Sequence, residues 1–131
     1  MSIPWWVLVV DDDADVNALI VEMLRDEGFP AHGLTDARAA MALLESSTPP
    51  GFIIADLTMP NIDGLDLVGR GESHGIKGML ITAADPRRFK ARSTVPVMRK
   101  PFEVDELIRV VSHHRPVAAG VDAPAPLCAT A

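Results

Sequence analysis

The sequence contains almost no cysteine: Cys128 is the single one among 131 residues. One cysteine cannot form an internal disulfide, which suits a protein of the reducing cytoplasm. The sequence also has no long unbroken apolar run, and residues 1–6 lack a basic region followed by an apolar stretch. We therefore expect no membrane-spanning segment and no secretory signal, and we predict a cytoplasmic location.

Basic residues are too few to balance the acidic ones. Twelve lysines and arginines stand against 18 aspartates and glutamates, which gives a net charge of −6 at pH 7 and argues against direct binding of nucleic acid. The charge is uneven, because four aspartates crowd residues 11–15 while six basic residues lie within 87–100. We interpret most of these bases as a solvated face, with a partner-binding surface as the alternative.

Short apolar runs alternate with amphipathic segments from residue 5 to residue 115. The apolar runs predict strands at 5–10, 52–56, 79–82 and 95–98, with a weaker one at 30–34. Apolar residues at helical spacing predict helices at 14–27, 37–46 and 102–114. The third and fourth helices, at 65–70 and 86–92, are expected to be short or irregular, the third because Gly69, Gly71 and Gly75 interrupt it.

Alternating strands and helices predict one α/β domain with a parallel sheet covered on both faces. A chain of this length is large enough for a single core. Residues 116–131 are rich in alanine and proline and show no periodicity. We predict a domain over residues 1–115 and a flexible tail or truncated linker over 116–131.

Polar residues stand at the ends of four predicted strands. Asp11 and Asp12 follow the first, Asp56 ends the third, Thr82 ends the fourth and Lys100 follows the fifth. Each alone is compatible with a loop residue, and Asp56 alone with a turn cap. Because the carboxyl ends of parallel strands share one edge of a sheet, we expect all five to converge there.

Clustered carboxylates repel one another, by roughly 4 kcal/mol for two charges about 4 Å apart at an effective dielectric near 20. Such a site needs a cation or a protonated acid, and an all-oxygen ligand set suits Mg²⁺. Asp56 is then a candidate nucleophile that becomes an aspartyl phosphate. Lys100 would neutralise a phosphoryl oxygen, and the Thr82 hydroxyl would hydrogen-bond the phosphate.

Four motifs carry a family resemblance: VLVVDDD at 7–13, DLTMPNIDGLDL at 56–67, LITAAD at 80–85 and MRKPF at 98–102. In this order and spacing they resemble the receiver domain of bacterial two-component response regulators, of the chemotaxis-regulator kind. The resemblance covers residues 5–115. It implies a flavodoxin-like, doubly wound sheet of five strands in the order 2-1-3-4-5.

The same resemblance implies a function. Asp56 would be phosphorylated from a phosphohistidine on a sensor histidine kinase or phosphotransfer protein. Mg²⁺ would be bound by Asp12, Asp56 and the backbone carbonyl of Thr58, with Asp11 holding a metal-bound water. The peptide bond before Pro101 would be cis, against about 5–6% of X–Pro bonds generally. The expected partners are the kinase and an unidentified downstream protein, with no membrane and at most a weak homodimer.

The chain departs from the family pattern at Val97, where relatives carry an aromatic ring that turns inward on activation. A switch would then act through Thr82 and the loop after it. Two alternatives stay open at this point. One is a receiver-like interaction module with little or no switch. The other is a Mg²⁺-dependent phosphohydrolase, which needs a second acid where Thr58 stands. We expect no enzyme activity beyond self-phosphorylation and dephosphorylation.

Overall fold

The computed structural model describes residues 5–60, 62–83 and 95–116. It contains one five-stranded sheet with the order β2-β1-β3-β4-β5, and every neighbouring pair is parallel. The strands are β1 (Val7–Val10), β2 (Ala31–Leu34), β3 (Phe52–Asp56), β4 (Lys77–Thr82) and β5 (Val97–Arg99). The described helices are α1 (Ala14–Asp26), α2 (Ala37–Leu44), α3 (Gly64–Ser73) and α4 (Val104–His114). The predicted flavodoxin-like topology is confirmed.

The two central strands, β1 and β3, are buried on both faces, as their unbroken apolar sequences predict. Successive residues alternate between two cores. Val7, Val9, Phe52 and Ile54 pack with α1 and α4, while Leu8, Val10, Ile53 and Ala55 pack with α2 and α3. Burial of each large aliphatic side chain contributes roughly 1.5–3 kcal/mol. This double core holds the carboxyl ends of the strands in register along one edge.

Aspartates set the starting points of three helices. Asp13 accepts hydrogen bonds from two backbone N–H groups of α1, Asp63 does the same for α3, and Asp36 accepts one from α2. Side-chain caps of this kind stabilise a helix by about 1 kcal/mol each. The cap at Asp13 begins α1 directly behind the acidic residues that follow β1.

Helix α3 is longer than the sequence predicted. It runs for 10 residues, where a six-residue segment at 65–70 was expected. Gly69 and Gly71 lie inside the helix and do not end it. Gly71 lies against the sheet, where a Cβ atom would stand 2.6 Å from Ile53 Cδ1. The helix ends before Gly75, whose φ of +79° suits a residue without a side chain. Gly71 therefore allows close packing of α3 on β3.

Two predictions cannot be compared with the structure. The predicted short helix at 86–92 lies outside the described residues. So does the predicted tail, apart from Pro116. Within the described ranges, no helix combines the length and the apolar character that crossing a membrane requires.

Candidate functional site

Three carboxylates meet at the carboxyl edge of the sheet. Asp11 and Asp12 directly follow β1, and Asp56 is the last residue of β3. Val10 pairs with Ala55, so the two strands deliver their acids at the same level. One oxygen from each carboxylate lies within 4.8 Å of the others. Asp11 is 0% exposed and Asp56 9%, whereas Asp12 is exposed to solvent. The predicted convergence of these acids is present in the structure.

Lys100 contacts the same cluster from the end of β5, which lies on the opposite side of β3 from β1. Its Nζ atom lies 3.0 Å from Asp11 Oδ2 and 3.3 Å from Asp56 Oδ2. The lysine follows β5, and its backbone N–H donates to the carbonyl of Thr82 at 2.8 Å, which anchors it to β4. The Lys100–Pro101 peptide bond, which the resemblance implied to be cis, is cis in the structure.

Each buried carboxylate is held through both of its oxygens. Asp11 Oδ1 accepts from the backbone N–H of Asp13 at 2.9 Å, and Asp56 Oδ1 accepts from that of Thr58 at 3.1 Å. The Oδ2 atoms of both carboxylates accept from Lys100. The two carboxyl groups therefore have defined orientations before any ligand binds.

Burial shapes the ionisation of this site. Burial raises the pKa of Asp56 above its ordinary value, and the nearby Asp11 carboxylate adds to that rise. The Thr58 N–H and Lys100 oppose it without cancelling it. Burial would lower the pKa of Lys100, but the carboxylates of Asp11 and Asp56 outweigh burial and raise it. Lys100 is therefore a permanent cation at neutral pH, while Asp56 is easier to protonate than an exposed aspartate.

The cluster fits Mg²⁺ by charge and by ligand type. Three ionised carboxylates and one ammonium leave a net charge of −2, which a divalent ion would neutralise. All the ligand atoms are oxygens, and Mg²⁺ is typically held by one or two carboxylates together with waters and phosphate oxygens. Thr58, two residues beyond Asp56, has an exposed side chain and shares the turn that follows β3.

The two candidate switch residues lie on neighbouring strands. Thr82 is the last residue of β4 and is 1% exposed. Val97 is the first residue of β5, pairs with Leu80, and packs half-buried against the core on the α2 and α3 side. Val97 therefore has the inward position expected for a strand residue. Thr82 is held at the edge where Lys100 and the acids converge.

Asn17 was not identified from the sequence, yet it lies directly behind the site. It is 5% exposed, and its Nδ2 donates to the carbonyl of Asp11 at 3.2 Å. The buried residues of α1 are Asn17, Ile20, Val21 and Leu24, a helical spacing in which the first position is polar. A polar side chain on an otherwise apolar helix face was the signal available in the sequence.

Comparison with known proteins agrees with this geometry. Residues 7–112 match the family model of the response regulator receiver domain. The chain is 35% identical over 118 residues to an uncharacterised 14.6 kDa protein in the sodA1 3′ region of Leptolyngbya boryana, covering 82% of this chain and 88% of that protein. It is 30% identical over 116 residues to the transcriptional regulatory protein PdtaR of Mycobacterium tuberculosis, covering 84% of this chain and 56% of PdtaR. It thus spans about half the length of that regulator.

A solved structure shows the same architecture. The response regulator protein TrrA of Thermotoga maritima, in complex with Mg²⁺ and BeF, superposes with a TM-score of 0.73 and 25% identity, over 86% of this chain and 100% of TrrA. The family match covers most of the chain and includes the acids, the threonine and the lysine of the site. The chain belongs to the response regulator receiver domains, the phosphoacceptor signalling domains of two-component systems.

Proposed function

We propose that Asp56 accepts a phosphoryl group from a phosphohistidine on a sensor histidine kinase or phosphotransfer protein, and that the product alters a protein-binding surface. One observation carries this proposal: the nearly buried Asp56 lies within 4.8 Å of two other carboxylates and 3.3 Å from the ammonium of Lys100. A carboxylate in that setting combines a nucleophile with a cation for the phosphoryl charge.

The chemistry assigns a role to each group around Asp56. A carboxylate oxygen of Asp56 attacks phosphorus and forms an O–P bond while the P–N bond to the donor imidazole breaks. The leaving nitrogen keeps that electron pair, and the ring departs neutral because its other nitrogen carries a proton. The Thr58 N–H fixes Oδ1 and so the plane of the carboxyl group. Lys100 donates to a phosphoryl oxygen and stabilises its negative charge.

The residues that would hold Mg²⁺ are Asp12, Asp56 and the Thr58 carbonyl, with Asp11 acting through a water. When bound, Mg²⁺ neutralises charge on the phosphoryl group during its transfer. Asp11 also holds Lys100 in place through Oδ2, which keeps the ammonium beside the nucleophile. The repulsion among the carboxylates explains why the site has a use for a divalent cation.

The response to phosphorylation begins at Thr82. Its hydroxyl, at the end of β4, moves toward Asp56 and donates to a phosphoryl oxygen there. Val97 carries no aromatic ring that could turn inward when Thr82 moves. Moving an equilibrium from 1:99 to 99:1 requires about 5.5 kcal/mol of differential interaction. Contacts of one phosphoryl group with Thr82 and Lys100 supply only part of that, so we propose a partial shift of population.

The site favours this function over the two alternatives. A phosphohydrolase needs an acid two residues after the nucleophile, and the hydroxyl of Thr58 cannot protonate a leaving group at neutral pH. A receiver-like module without phosphorylation has no need of a lysine held on two carboxylates, as Lys100 is. We propose no turnover beyond the protein's own phosphorylation and dephosphorylation.

The proposed partners are the phosphohistidine donor and a downstream protein, with cytoplasmic location and at most weak self-association. PdtaR is named as a transcriptional regulatory protein. The described part of this chain supplies the receiver portion alone. Residues 116–131 remain a predicted tail or linker.

Amide NMR with Mg²⁺ and beryllofluoride tests the proposal. We expect shifts of the signals of Asp56, Thr82 and Lys100 in the wild type, and loss of that response in the Asp56→Asn variant. The matched control is Asp63→Asn, which changes an acid outside the cluster while keeping a good helix cap. Absence of any shift in the wild type at saturating Mg²⁺ and beryllofluoride would contradict the proposal.

A further inference from the structure

Asn17 is a buried amide whose contacts lead to the acidic cluster. It occupies the first position of the buried face of α1, which otherwise consists of Ile20, Val21 and Leu24. Burying an amide among apolar side chains costs free energy unless its donors are bonded. The contacts that its side chain makes therefore have a structural or functional purpose.

The amide nitrogen of Asn17 faces three backbone carbonyls. Nδ2 lies 2.9 Å from the oxygen of Leu34, 3.2 Å from that of Asp11 and 3.3 Å from that of Val9. The two hydrogens of the amide are shared among these acceptors. One side chain thus joins the carboxyl ends of β1 and β2 to the first turn of α1.

Gly33 lies beside the oxygen end of the same amide. A Cβ atom on Gly33 would stand 1.8 Å from Asn17 Oδ1. Because φ of Gly33 lies outside the left-handed region, the need for glycine here is steric. The oxygen fills the space that a side chain would take, while the three carbonyl acceptors fix the nitrogen end of the amide toward β1 and β2. Gly33 and Asn17 are complementary.

The carbonyl that Asn17 holds belongs to the buried acid of the cluster. The backbone N–H of Asp11 donates to the Leu34 carbonyl at 3.3 Å, and its Oδ1 accepts from Asp13 N–H. Asn17 bonds both the Asp11 and the Leu34 carbonyls. Asn17 therefore fixes the backbone where the chain leaves β1, directly before Asp12.

We propose that Asn17 is a positioning residue for the acidic cluster, one that fixes the directions of the Asp11 and Asp12 carboxylates and thereby raises the affinity for Mg²⁺. The proposal rests on the proposed function, since it assumes that this cluster binds Mg²⁺. Groups that orient metal ligands without touching the metal typically change affinity by 10–100-fold when removed. We expect Asn17→Ala to weaken Mg²⁺ binding by about tenfold.

A double-mutant cycle with Gly33 tests the mechanism. Mg²⁺ affinity is measured by calorimetry for the wild type, Asn17→Ala, Gly33→Ala and the double variant. Gly33→Ala should weaken binding similarly, because its methyl group displaces the amide. The double variant should bind no more weakly than Asn17→Ala, since the amide is already gone. If the two substitutions weakened Mg²⁺ binding independently, so that their fold-changes multiplied in the double variant, the proposal would be overturned. An Asn17→Ala variant with wild-type affinity would overturn it as well.

Arg25 supplies the matched control on the same helix. Its Nε and Nη2 donate to the Ala31 carbonyl at 2.9 and 2.7 Å, which links the far end of α1 to β2. Arg25→Met should lower stability and leave Mg²⁺ affinity unchanged. If it weakens Mg²⁺ binding as much as Asn17→Ala does, the role of Asn17 is general to the helix–sheet packing and the proposal fails.

A second readout needs no metal. In metal-free protein, the NMR order parameters of the Asp12 and Asp13 amides should fall in Asn17→Ala and stay at wild-type values in Arg25→Met. If Asn17→Ala does not fold, Gly33→Ala gives the same two measurements with the asparagine present. Wild-type protein that fails to bind Mg²⁺ would count against the proposed function itself. Wild-type binding that Asn17→Ala and Gly33→Ala both retain would count against the positioning role alone.

Discussion

Replacing Lys100 with methionine removes a cation that touches two carboxylates of the cluster. The metal-free variant should therefore be clearly less stable than the wild type. The ammonium lies 3.0 Å from Asp11 and 3.3 Å from Asp56. Each contact corresponds to roughly 5 kcal/mol of Coulomb attraction at an effective dielectric near 20. Desolvation of the charged groups offsets most of that attraction.

The net change in the free energy of unfolding depends on the two carboxylates that are left without a cation when the lysine is lost. Removing one partner of a buried ion pair typically costs about 3–5 kcal/mol. The side chain of Lys100 is 23% exposed, and that of Asp11 is 0% exposed. Asp56, whose pKa burial already raises, can take up a proton and relieve part of the excess charge. We therefore expect a loss near the lower end, about 3 kcal/mol at neutral pH.

Urea unfolding in EDTA, followed by circular dichroism, measures this loss. Lys77→Met is the matched control, because it makes the same chemical change at an exposed residue at the start of β4. Mg²⁺ should then stabilise Lys100→Met more than the wild type, since the variant cluster carries a charge of −3 when ionised. A Lys100→Met variant within the error of Lys77→Met in EDTA would refute this reasoning.

Further predictions concern protonation, packing and the response to phosphate. Because the pKa of Asp56 is raised, the native state binds more protons than the unfolded state at pH values between about 3.9 and that raised value. Stability in EDTA should fall as pH rises through this window, and urea titrations of Asp56→Asn should lack that component. Gly71→Ala should lose about 1–3 kcal/mol in thermal unfolding through its contact with Ile53, whereas Gly69→Ala, with no atom within 4 Å, should gain up to about 1 kcal/mol. A Thr82→Val variant should still be phosphorylated on Asp56, with smaller amide shifts around β4; unchanged shifts would contradict the role of its hydroxyl.

The central strands could be predicted because they depend on local sequence, whereas the strand order was implied by the family resemblance. Apolar runs such as residues 52–55 fit a strand buried on both faces, and alternation with helices fixes a parallel sheet. The convergence of Asp11, Asp56 and Lys100 followed from their positions at strand ends. These inferences need no knowledge of how individual side chains pack.

The length of α3 and the role of Asn17 depend on contacts between distant segments. Gly71 weakens an isolated helix, yet in the fold it lets α3 approach Ile53, which sequence spacing does not reveal. Asn17 interrupts an apolar stripe in the sequence, and its partners are backbone carbonyls on two strands. Backbone acceptors carry no sequence signature. Such contacts are visible only when the segments are brought together.

The central claim is that Asp56 is the phosphoacceptor of a site that depends on Mg²⁺. Intact-mass measurement after incubation with acetyl phosphate, with Mg²⁺ or with EDTA, tests it most directly. We predict that wild-type protein gains the mass of one phosphoryl group with Mg²⁺ and none with EDTA, and that Asp56→Asn gains none in either. Equal labelling of wild type and Asp56→Asn, or no labelling of the wild type at saturating Mg²⁺, would contradict the account.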